Sequence, residues 1–371
     1  MMNIGWQHMI VVIGLLAITA CANPATSDFA SLERAAERGD ARAQTELALL
    51  YAGAGEVEPS DEKFIAWLSR AAESGDPRAQ SLLGSAYEDG RAVPIDHQAA
   101  ISWHKKAAHQ GESASQVALG RYFLFGVDTN FEPGRGLFWL RPAAEAGEPE
   151  AQALLGRVYL HGLGRKFVKR DPAEAEKWLT AAAEQGFAQA QYDLATFYFD
   201  AGDSKTGLRW LQQAAAQEQT EALTMLSHRY RDGDGFPADA ARSAELLRRA
   251  ATLGDPVAQT ELGVALREGS GMARNESESI EWFEKAAIQG YIEGQYNLGL
   301  AYAKGTGVDP DPVRGTAWLE ICAKEPHREA IRAVSPVRRQ LSADQREAAN
   351  ELREQLTARL PELPAPAVRR W

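Results

Sequence analysis

The sequence has few of the features that common active sites and disulfide frameworks need. It contains two cysteines, and it has no Cys-x-x-Cys, His-Glu-x-x-His, Gly-x-Ser-x-Gly or Gly-x-x-x-x-Gly-Lys-Ser/Thr spacing. Zinc, hydrolase-elbow and phosphate-loop chemistry therefore lack sequence support. The sequence also lacks an excess of positive charge, since its formal net charge is -11. That deficit disfavours nucleic acid as a general partner, because phosphate backbones require a basic surface.

Charge is also missing from the first 20 residues, which contain no Asp, Glu, Lys or Arg. An apolar run from Met9 to Ala20 ends directly before Cys21, and this pattern resembles the lipobox of bacterial lipoproteins. The resemblance implies a signal peptide at 1–20, a lipid on Cys21 and, because Ala22 is not Asp, the periplasmic face of the outer membrane.

The N-terminal region departs from the lipobox pattern because its n-region has no Lys or Arg. An inner-membrane anchor that is not cleaved and a secreted soluble protein are the alternatives, although the apolar run is shorter than the roughly 20 residues that span a bilayer. If Cys21 takes a lipid, Cys322 has no partner in the chain for a disulfide bond. We then expect Cys322 to be a small, buried apolar residue.

What the sequence does contain is one unit that recurs eight times. A tryptophan marks the same place in seven units and Leu246 takes that place in the other, with a dominant spacing of 36 residues. A sustained period of this length indicates an array of stacked units and not two or three globular domains. The seven tryptophans are Trp67, Trp103, Trp139, Trp178, Trp210, Trp282 and Trp318.

Each unit predicts two helices. Gly75 suits a left-handed helix end, and Asp76 and Pro77 suit the start of the next helix. Along the first helix, apolar residues recur every four positions, with Gly84 among them to let a neighbouring backbone come close. The second helix carries the tryptophan, which we expect to fill the gap between units. The spacing varies only between the Tyr of the first helix and this Trp, so insertions are predicted to lie in the loop inside the unit.

The pattern A-A-x-x-G-x-x-x-A-Q-x-x-L-G-x-x-Y, followed by a glycine loop such as Gly305-Thr306-Gly307-Val308 and by A-x-x-W, resembles the Sel-one-like repeat (SLR) family, a relative of the tetratricopeptide repeats. The resemblance implies an all-α fold: a right-handed α-solenoid of about eight helix-turn-helix repeats with a C-terminal capping helix. In the family such arrays act as adaptors in macromolecular assemblies, including envelope and exopolysaccharide-export complexes. Some cysteine-rich members are described as penicillin-binding, but they carry repeated cysteine pairs that this chain lacks.

The chain is accordingly divided into a signal peptide at 1–20, a linker at 21–31, a solenoid at 32–325, capping helices at 326–360 and a flexible tail at 361–371. Ser342 and Gln345 have capping-box spacing and precede an apolar stripe of Ala348, Leu352, Leu356 and Leu360. One repeat has Glu218 in place of the turn glycine, and we expect a left-handed residue there.

Two sets of residues are candidates for partner binding. The first is a row one position past each Leu-Gly pair, expected to line the inner surface: Arg121, Arg157 and His228, beside Tyr192 and Tyr296. The second is the basic loop of Arg165, Lys166, Lys169 and Arg170, which suits an anionic partner. Ordinary solvated positions are the alternative for both. His97, His104 and His109 are expected to lie on solvated helix faces, and we predict no metal and no cofactor.

Taken together, the sequence favours a lipid-anchored periplasmic scaffold that binds proteins of an envelope complex and is not an enzyme. The alternative is an envelope factor associated with polysaccharide or peptidoglycan, such as an exopolysaccharide-export lipoprotein, or a hydrolase-type enzyme that uses the concave face.

Overall fold

A computed structural model describes residues 26–54, 57–126, 129–163, 168–324 and 327–361. Cys21, Arg165, Lys166 and the predicted tail beyond 361 lie outside these ranges. The regular elements within them are helices, and an isolated β-bridge joins Leu163 to Val168. Searched over the same ranges, no helix combines the length and the apolar character that crossing a membrane requires.

The helices are α1 Thr26–Glu37, α2 Ala41–Leu49, α3 Asp61–Glu73, α4 Pro77–Asp89, α5 His97–His109, α6 Ser113–Phe125, α7 Pro133–Glu145, α8 Pro149–His161, α9 Pro172–Glu184, α10 Ala188–Asp200, α11 Ser204–Ala216, α12 Thr220–Asp232, α13 Ala240–Thr252, α14 Pro256–Glu268, α15 Glu276–Ile288, α16 Ile292–Lys304, α17 Pro312–Cys322, α18 Arg328–Arg339 and α19 Ala343–Arg359. A π-helical segment, Leu50–Ala54, continues α2.

Within each of two compact units, consecutive helices pack against each other in pairs and each pair packs against the next. The first helix of a repeat contacts the second, as α4 contacts α5, and the second contacts the first helix of the following repeat, as α5 contacts α6. This arrangement confirms the predicted all-α solenoid; its handedness stays a prediction. The helices form two compact units, one ending at Ala190 and the other beginning at Gln191, inside α10.

The turn between repeats has the predicted chemistry. Gly75 has a φ of 94°, and the side chain of Asp76 accepts a hydrogen bond of 2.7 Å from the backbone N–H of Ala79. This bond satisfies one of the donors that a helix leaves unpaired at its N-terminus. Glu218 has a φ of 61°, which confirms the left-handed residue expected there, and its carboxylate pairs with Arg249.

Insertions and deletions are confined to the loop inside the repeat, as predicted. The segment between α8 and α9 spans residues 162–171, whereas the segment between α10 and α11 spans only 201–203. The four helices that flank these loops all have 13 residues. A helical hairpin therefore changes its loop length here without changing the helices that pack.

The residue after the repeating tryptophan, and not the tryptophan itself, occupies the centre of each helix pair. Leu140 and Leu179 follow Trp139 and Trp178 and are 0% exposed. A Cβ on Gly120 would lie 2.4 Å from Cγ of Leu140. The glycine of the Leu-Gly pair thus makes room mainly for this side chain. The expected close backbone is found beside Gly156, where a Cβ would lie 3.1 Å from the backbone N of Leu179, whereas a Cβ on Gly84 would meet the side chain of His104. Trp139, half-buried, packs against the preceding repeat, as predicted.

A glutamine in seven of the eight first helices joins successive repeats, and Leu223 takes its place in α12. Nε2 of Gln80 donates to the carbonyl oxygen of Ala72 at 3.1 Å, which is one of the last carbonyls of α3. Its Oε1 accepts a bond of 2.9 Å from Gln110, at the end of α5. The first of these bonds gives a helix-end carbonyl a second donor, since the backbone N–H of Gly75 also donates to Ala72 O. Gln152 and Gln259 make the same pair of contacts in their own repeats.

The C-terminal helix α19 closes the last repeat. Ser342 and Gln345 form the predicted capping box, and Leu356 and Leu360 pack against a core cluster that contains Trp318. The buried alanine of α19 is Ala349, at 0% exposure, whereas Ala348 is exposed. The predicted apolar stripe was therefore wrong by one residue at its start, because a 3.6-residue period drifts from a strict spacing of four.

Candidate binding surfaces

The predicted row residue Arg121 joins three successive repeats. It lies in α6, with its guanidinium 3.6 Å from Glu88 of α4 and 3.1 Å from Glu150 of α8. Burial alone would lower the pKa of Arg121, but Glu150 and Glu88 raise this pKa above its ordinary value. Arg121 is therefore a charge that clamps its own repeats together, with 21% of its side chain exposed.

The carboxylate of Glu88 lies beside two basic side chains, His104 and Arg121. Burial alone would raise the pKa of Glu88, but the neighbouring His104 ring and the Arg121 guanidinium hold that pKa below its ordinary value. Nε2 of His104 lies 3.7 Å from the carboxylate, which is longer than a hydrogen bond. Glu88 thus connects the core of the second repeat to the ion pairs of Arg121.

His104 is buried, and the expectation of a solvated histidine was wrong. It takes the central position after Trp103 that other repeats fill with a leucine or a phenylalanine, and it is 1% exposed. Its Nδ1 shares a hydrogen bond of 3.0 Å with Oγ of Ser115. Among the described residues its Nε2 has no hydrogen-bond partner. Sequence reasoning missed this site, although the replacement of a core leucine by histidine was a visible signal.

Ser115, His104 and Glu88 have the residue types of a hydrolase triad, but their burial does not suit that chemistry. Ser115 is 0% exposed, and a nucleophilic hydroxyl has to reach a substrate carbonyl. The arrangement instead satisfies a polar group inside the helix stack.

In the C-terminal unit the row residue His228 also makes a contact between repeats. Nε2 of His228, in α12, lies 2.6 Å from Oε2 of Glu261, in α14. Arg231 lies 3.7 Å from the same carboxylate. The row residues Arg121 and His228 therefore both contact charged groups of neighbouring repeats.

The structure divides the remaining candidates of the row between the two units. Arg157 is half-buried in the N-terminal unit, while Tyr192 and Tyr296 are half-buried in the C-terminal unit. The ring of Tyr296 lies 4.9 Å from the ring of His327. Their role in partner binding stays a prediction.

The described part of the basic loop begins at a short bridge. The backbone N–H of Leu163 donates to Val168 O at 2.9 Å, and the return bond is 3.2 Å. Leu163 is buried, and Lys169 and Arg170 are exposed. The bridge fixes the base of the loop and leaves these two cations in solvent.

A cleft that sequence reasoning missed lies between α5 and the start of α7. It has a volume of about 560 Å³, and its lining combines buried apolar groups with cations and amides. The lining residues are Gln98, Ile101, Lys105, Phe123, Thr129, Asn130, Glu132 and Arg135. The sequence signal for this cleft was a pair of like charges. Lys105 and Arg135 are both cations, whereas the equivalent two positions carry opposite charges at three other junctions between repeats.

Metal chemistry finds no support in the described part of the chain, where no group of three or more His, Cys, Asp or Glu side chains converges on a common point. Cys322 is buried, as predicted, and its Sγ lies 3.5 Å from Ile292 O.

Solved structures with the same repeats resemble this chain. A Sel1 repeat protein from Oxalobacter formigenes has 32% sequence identity, and the match covers 84% of this chain and 92% of that chain with a TM-score of 0.60. A protective antigen of uropathogenic Escherichia coli strains, displaying an SLR fold, has 24% identity over 89% of this chain and 94% of that chain, with a TM-score of 0.41. An immunity protein from Pseudomonas aeruginosa has 22% identity over 57% of this chain and 80% of that chain, with a TM-score of 0.38. No curated protein matches.

The Sel1 repeat model matches eight consecutive segments, 41–76, 77–112, 113–148, 149–187, 188–218, 220–255, 256–291 and 292–327. Each segment is one helix pair, and the fold is typically a non-enzymatic one. The chain therefore belongs to the Sel1 repeat family, whose members are generally protein-interaction scaffolds.

Proposed function

We propose that this protein is a lipid-anchored periplasmic adaptor that binds partner proteins within an envelope complex. The observation that carries the proposal is the combination of eight Sel1 repeats with a cysteine, Cys21, placed directly after an uncharged apolar segment. Stacked helix pairs supply an extended surface for partners, and a lipid on Cys21 would hold that surface at a membrane.

The chemistry of the repeats favours a scaffold over the hydrolase alternative. The side chains that resemble catalytic groups, Ser115 and His104, are 0% and 1% exposed. They connect α5 to α6 and thereby support the packing of the second and third repeats. No step of catalysis is assigned to them.

Partner binding is proposed for the row and for the basic loop. Arg121 and His228 already pair with carboxylates of neighbouring repeats, so substituting them would change the packing of the repeats as well as the surface. The exposed loop cations Lys169 and Arg170 are therefore the residues to test first. The loop cations Arg165, Lys166, Lys169 and Arg170 would add a salt-sensitive attraction to an anionic surface.

The anchor is tested by metabolic labelling with an acyl probe in a bacterial host. Wild-type protein should take up the label and partition with outer-membrane vesicles, whereas Cys21→Ser should do neither. Equal labelling of the two proteins, or labelling of neither, would contradict lipidation.

The scaffold role is tested by chemical cross-linking of the intact chain in envelope extract, followed by mass spectrometry. We expect one or a few protein partners that are recovered less with the double variant Lys169→Glu, Arg170→Glu, while the melting temperature is unchanged because both side chains are exposed. Arg121→Glu is a poor first variant, because the new carboxylate would face Glu88 and Glu150. Failure to recover any specific protein at low and at physiological salt would contradict the adaptor role.

A further inference from the structure

The cleft between α5 and α7 places two cations over one aromatic ring. The ring of Phe123 forms part of the floor, with Nζ of Lys105 at 6.0 Å and the guanidinium carbon of Arg135 at 5.1 Å from its centroid. Arg135 pairs with Glu132 at 3.2 Å. Among the described residues Lys105 has no carboxylate within ion-pair distance. The carboxylate of Glu132 is thus paired with Arg135, and Lys105 is the second cation at this point.

The equivalent junction in the C-terminal unit has an ion pair at the positions of Lys105 and Arg135. Counted from the start of each repeat, Arg248 corresponds to Lys105, and Glu278 corresponds to Arg135. Arg248 and Glu278 form an ion pair of 2.7 Å between α13 and α15. The junction that contains the cleft therefore has a second cation in place of the carboxylate.

The same pair of positions carries opposite charges at two more junctions. In sequence register these are Arg141 with Glu174, and Glu284 with Arg314. Like charges at these positions occur at the junction of the second and third repeats, where they repel each other unless an anion lies between them. Helix α5 adds to the positive potential, because it contains Lys105 and Lys106 and no Asp or Glu.

The floor and rim of the cleft suit a short polypeptide segment. Ile101 and Phe123 are each 4% exposed and form an apolar floor. The side-chain amide of Asn130 lines the cleft, and an amide of this kind can bond to an extended backbone. Phe131 projects from the adjoining loop with 47% exposure.

We propose that this cleft binds an acidic segment of a partner protein. A carboxylate of that segment lies between Lys105 and Arg135, in the place that Glu278 takes beside Arg248, and an adjacent apolar side chain covers Ile101 and Phe123. Arginine and lysine both form charge-assisted bonds with carboxylates. This inference rests on the proposed function of a protein-binding scaffold and names the chemistry of the partner.

The test uses an array of fluorescent peptides and the intact chain. Each peptide carries Asp or Glu next to Leu, Ile or Phe, and its matched counterpart carries Asn or Gln at the same position. Fluorescence anisotropy should show that the best carboxylate peptides bind at least about tenfold tighter than their amide counterparts, and that 0.5 M salt reduces this difference.

Arg135→Glu is the decisive variant, because it restores the pairing found at Arg248 and Glu278 and should keep the fold. It should weaken binding of the best peptides by at least about tenfold. Lys304→Glu changes the net charge equally on an exposed residue of α16 and should leave binding unchanged. Hydrogen exchange of α5, α6 and α7 checks that Arg135→Glu stays folded.

The inference is overturned if the amide peptides bind as well as the acidic ones, or if Arg135→Glu binds as tightly as wild type. It is also overturned if the cleft responds to phosphatidylglycerol vesicles or to an anionic polysaccharide and not to the peptides. Recovery of native protein partners that is insensitive to Arg135→Glu would reject this cleft and leave the scaffold role standing. Absence of any native partner would reject the scaffold role itself.

Discussion

Repeats two and three of the N-terminal unit and repeats six and seven of the C-terminal unit share one backbone pattern but place charge differently. In the first pair, the core position after Trp103 is His104, and the outer junction has Lys105 and Arg135. In the second pair, the core position is Leu247, which is 4% exposed, and the outer junction is the Arg248 to Glu278 ion pair.

The difference shows that the fold of a repeat and its binding chemistry are determined by separate positions. The turn glycines, cap residues, joining glutamines and alanine pairs make equivalent contacts in both units. The positions that face the core centre and the outer junction vary without a change in helix length. One repeat of an array can therefore acquire a polar core residue or an additional cation at its junction. The neighbouring repeats can keep an apolar core residue and an ion pair at the same positions.

The largest effect is expected when the clamp of the N-terminal unit is broken. Arg121→Met, which introduces an apolar side chain like Val264 at the equivalent place in repeat seven, leaves Glu88 and Glu150 without their cation. We expect a loss of about 2 kcal/mol in the free energy of unfolding, less than for a fully buried pair because these groups are partly exposed. Urea unfolding measures the loss, and hydrogen exchange should place it in α4, α6 and α8.

The triple variant Glu88→Gln, Arg121→Met, Glu150→Gln is the control for this prediction. It removes the charges together, so it should recover most of the lost stability. Equal destabilisation by the single and triple variants would show that packing of the arginine stem, and not its charge, is what Arg121 contributes.

Reversing one charge at each outer junction should change stability by unequal amounts. Glu278→Arg brings a second cation beside Arg248 and removes the contact of Glu278 with Trp282 Nε1, so we expect a loss of about 1 kcal/mol. Arg135→Glu creates an opposite pair with Lys105 but loses the exposed pair with Glu132, so we expect a smaller change, close to neutral. Thermal unfolding of the two variants, with Glu281→Arg as an exposed control on α15, checks the contrast.

A smaller effect is expected when the polar core of repeat two is given the residues of repeats six and seven. His104→Leu with Ser115→Ala introduces the residue types of Leu247 and Ala258, and it should be more stable than His104→Leu alone by roughly 1 kcal/mol. The reason is that the single variant leaves a buried hydroxyl without its partner. A double-mutant cycle measured by urea unfolding gives the coupling. Zero coupling would mean that the bond between His104 and Ser115 contributes nothing.

The pH dependence of the N-terminal unit should carry a small signature of Glu88. Its pKa in the folded protein lies below the ordinary value of 4.5, so the stability that it contributes is complete above about pH 4.5 and is lost as the pH falls through the folded pKa. Glu112 and Glu148 have raised pKa values, mainly through burial, and they oppose this trend. Urea unfolding from pH 6 to 3 should therefore show a shallower loss for Glu88→Gln than for wild type. Identical slopes would contradict the assignment to Glu88.

The sequence was sufficient for the fold because the repeat presents the same local signals eight times. Gly75, Asp76 and Pro77 act within one turn, and the capping box of Ser342 and Gln345 acts within one turn as well. Glu218 was predicted to be left-handed by position alone, and its φ confirms this.

The candidate sites depend on contacts between residues of different repeats. Turn and cap residues act within one turn and do not reveal such contacts. Arg121 and Glu150 are 29 residues apart, and Lys105 and Arg135 meet at Phe123 only after α5, α6 and α7 have packed. A register comparison of the repeats would have found the like charges of Lys105 and Arg135. It would not have shown that Arg121 already has two carboxylate partners.

The joining glutamines have a consequence for how such a chain can grow or shrink. Gln80 donates to the repeat before it, and Gln152 and Gln259 make the same connection elsewhere. Because the donor and the acceptor are repeated at these joints, deletion or duplication of a whole block that starts with such a helix, for example 77–112, brings a glutamine to an equivalent carbonyl at the seam. The block 220–255 has Leu223 at this position and lacks the joint. Recombination can therefore add or remove glutamine-bearing repeats within a unit without losing this contact between neighbours.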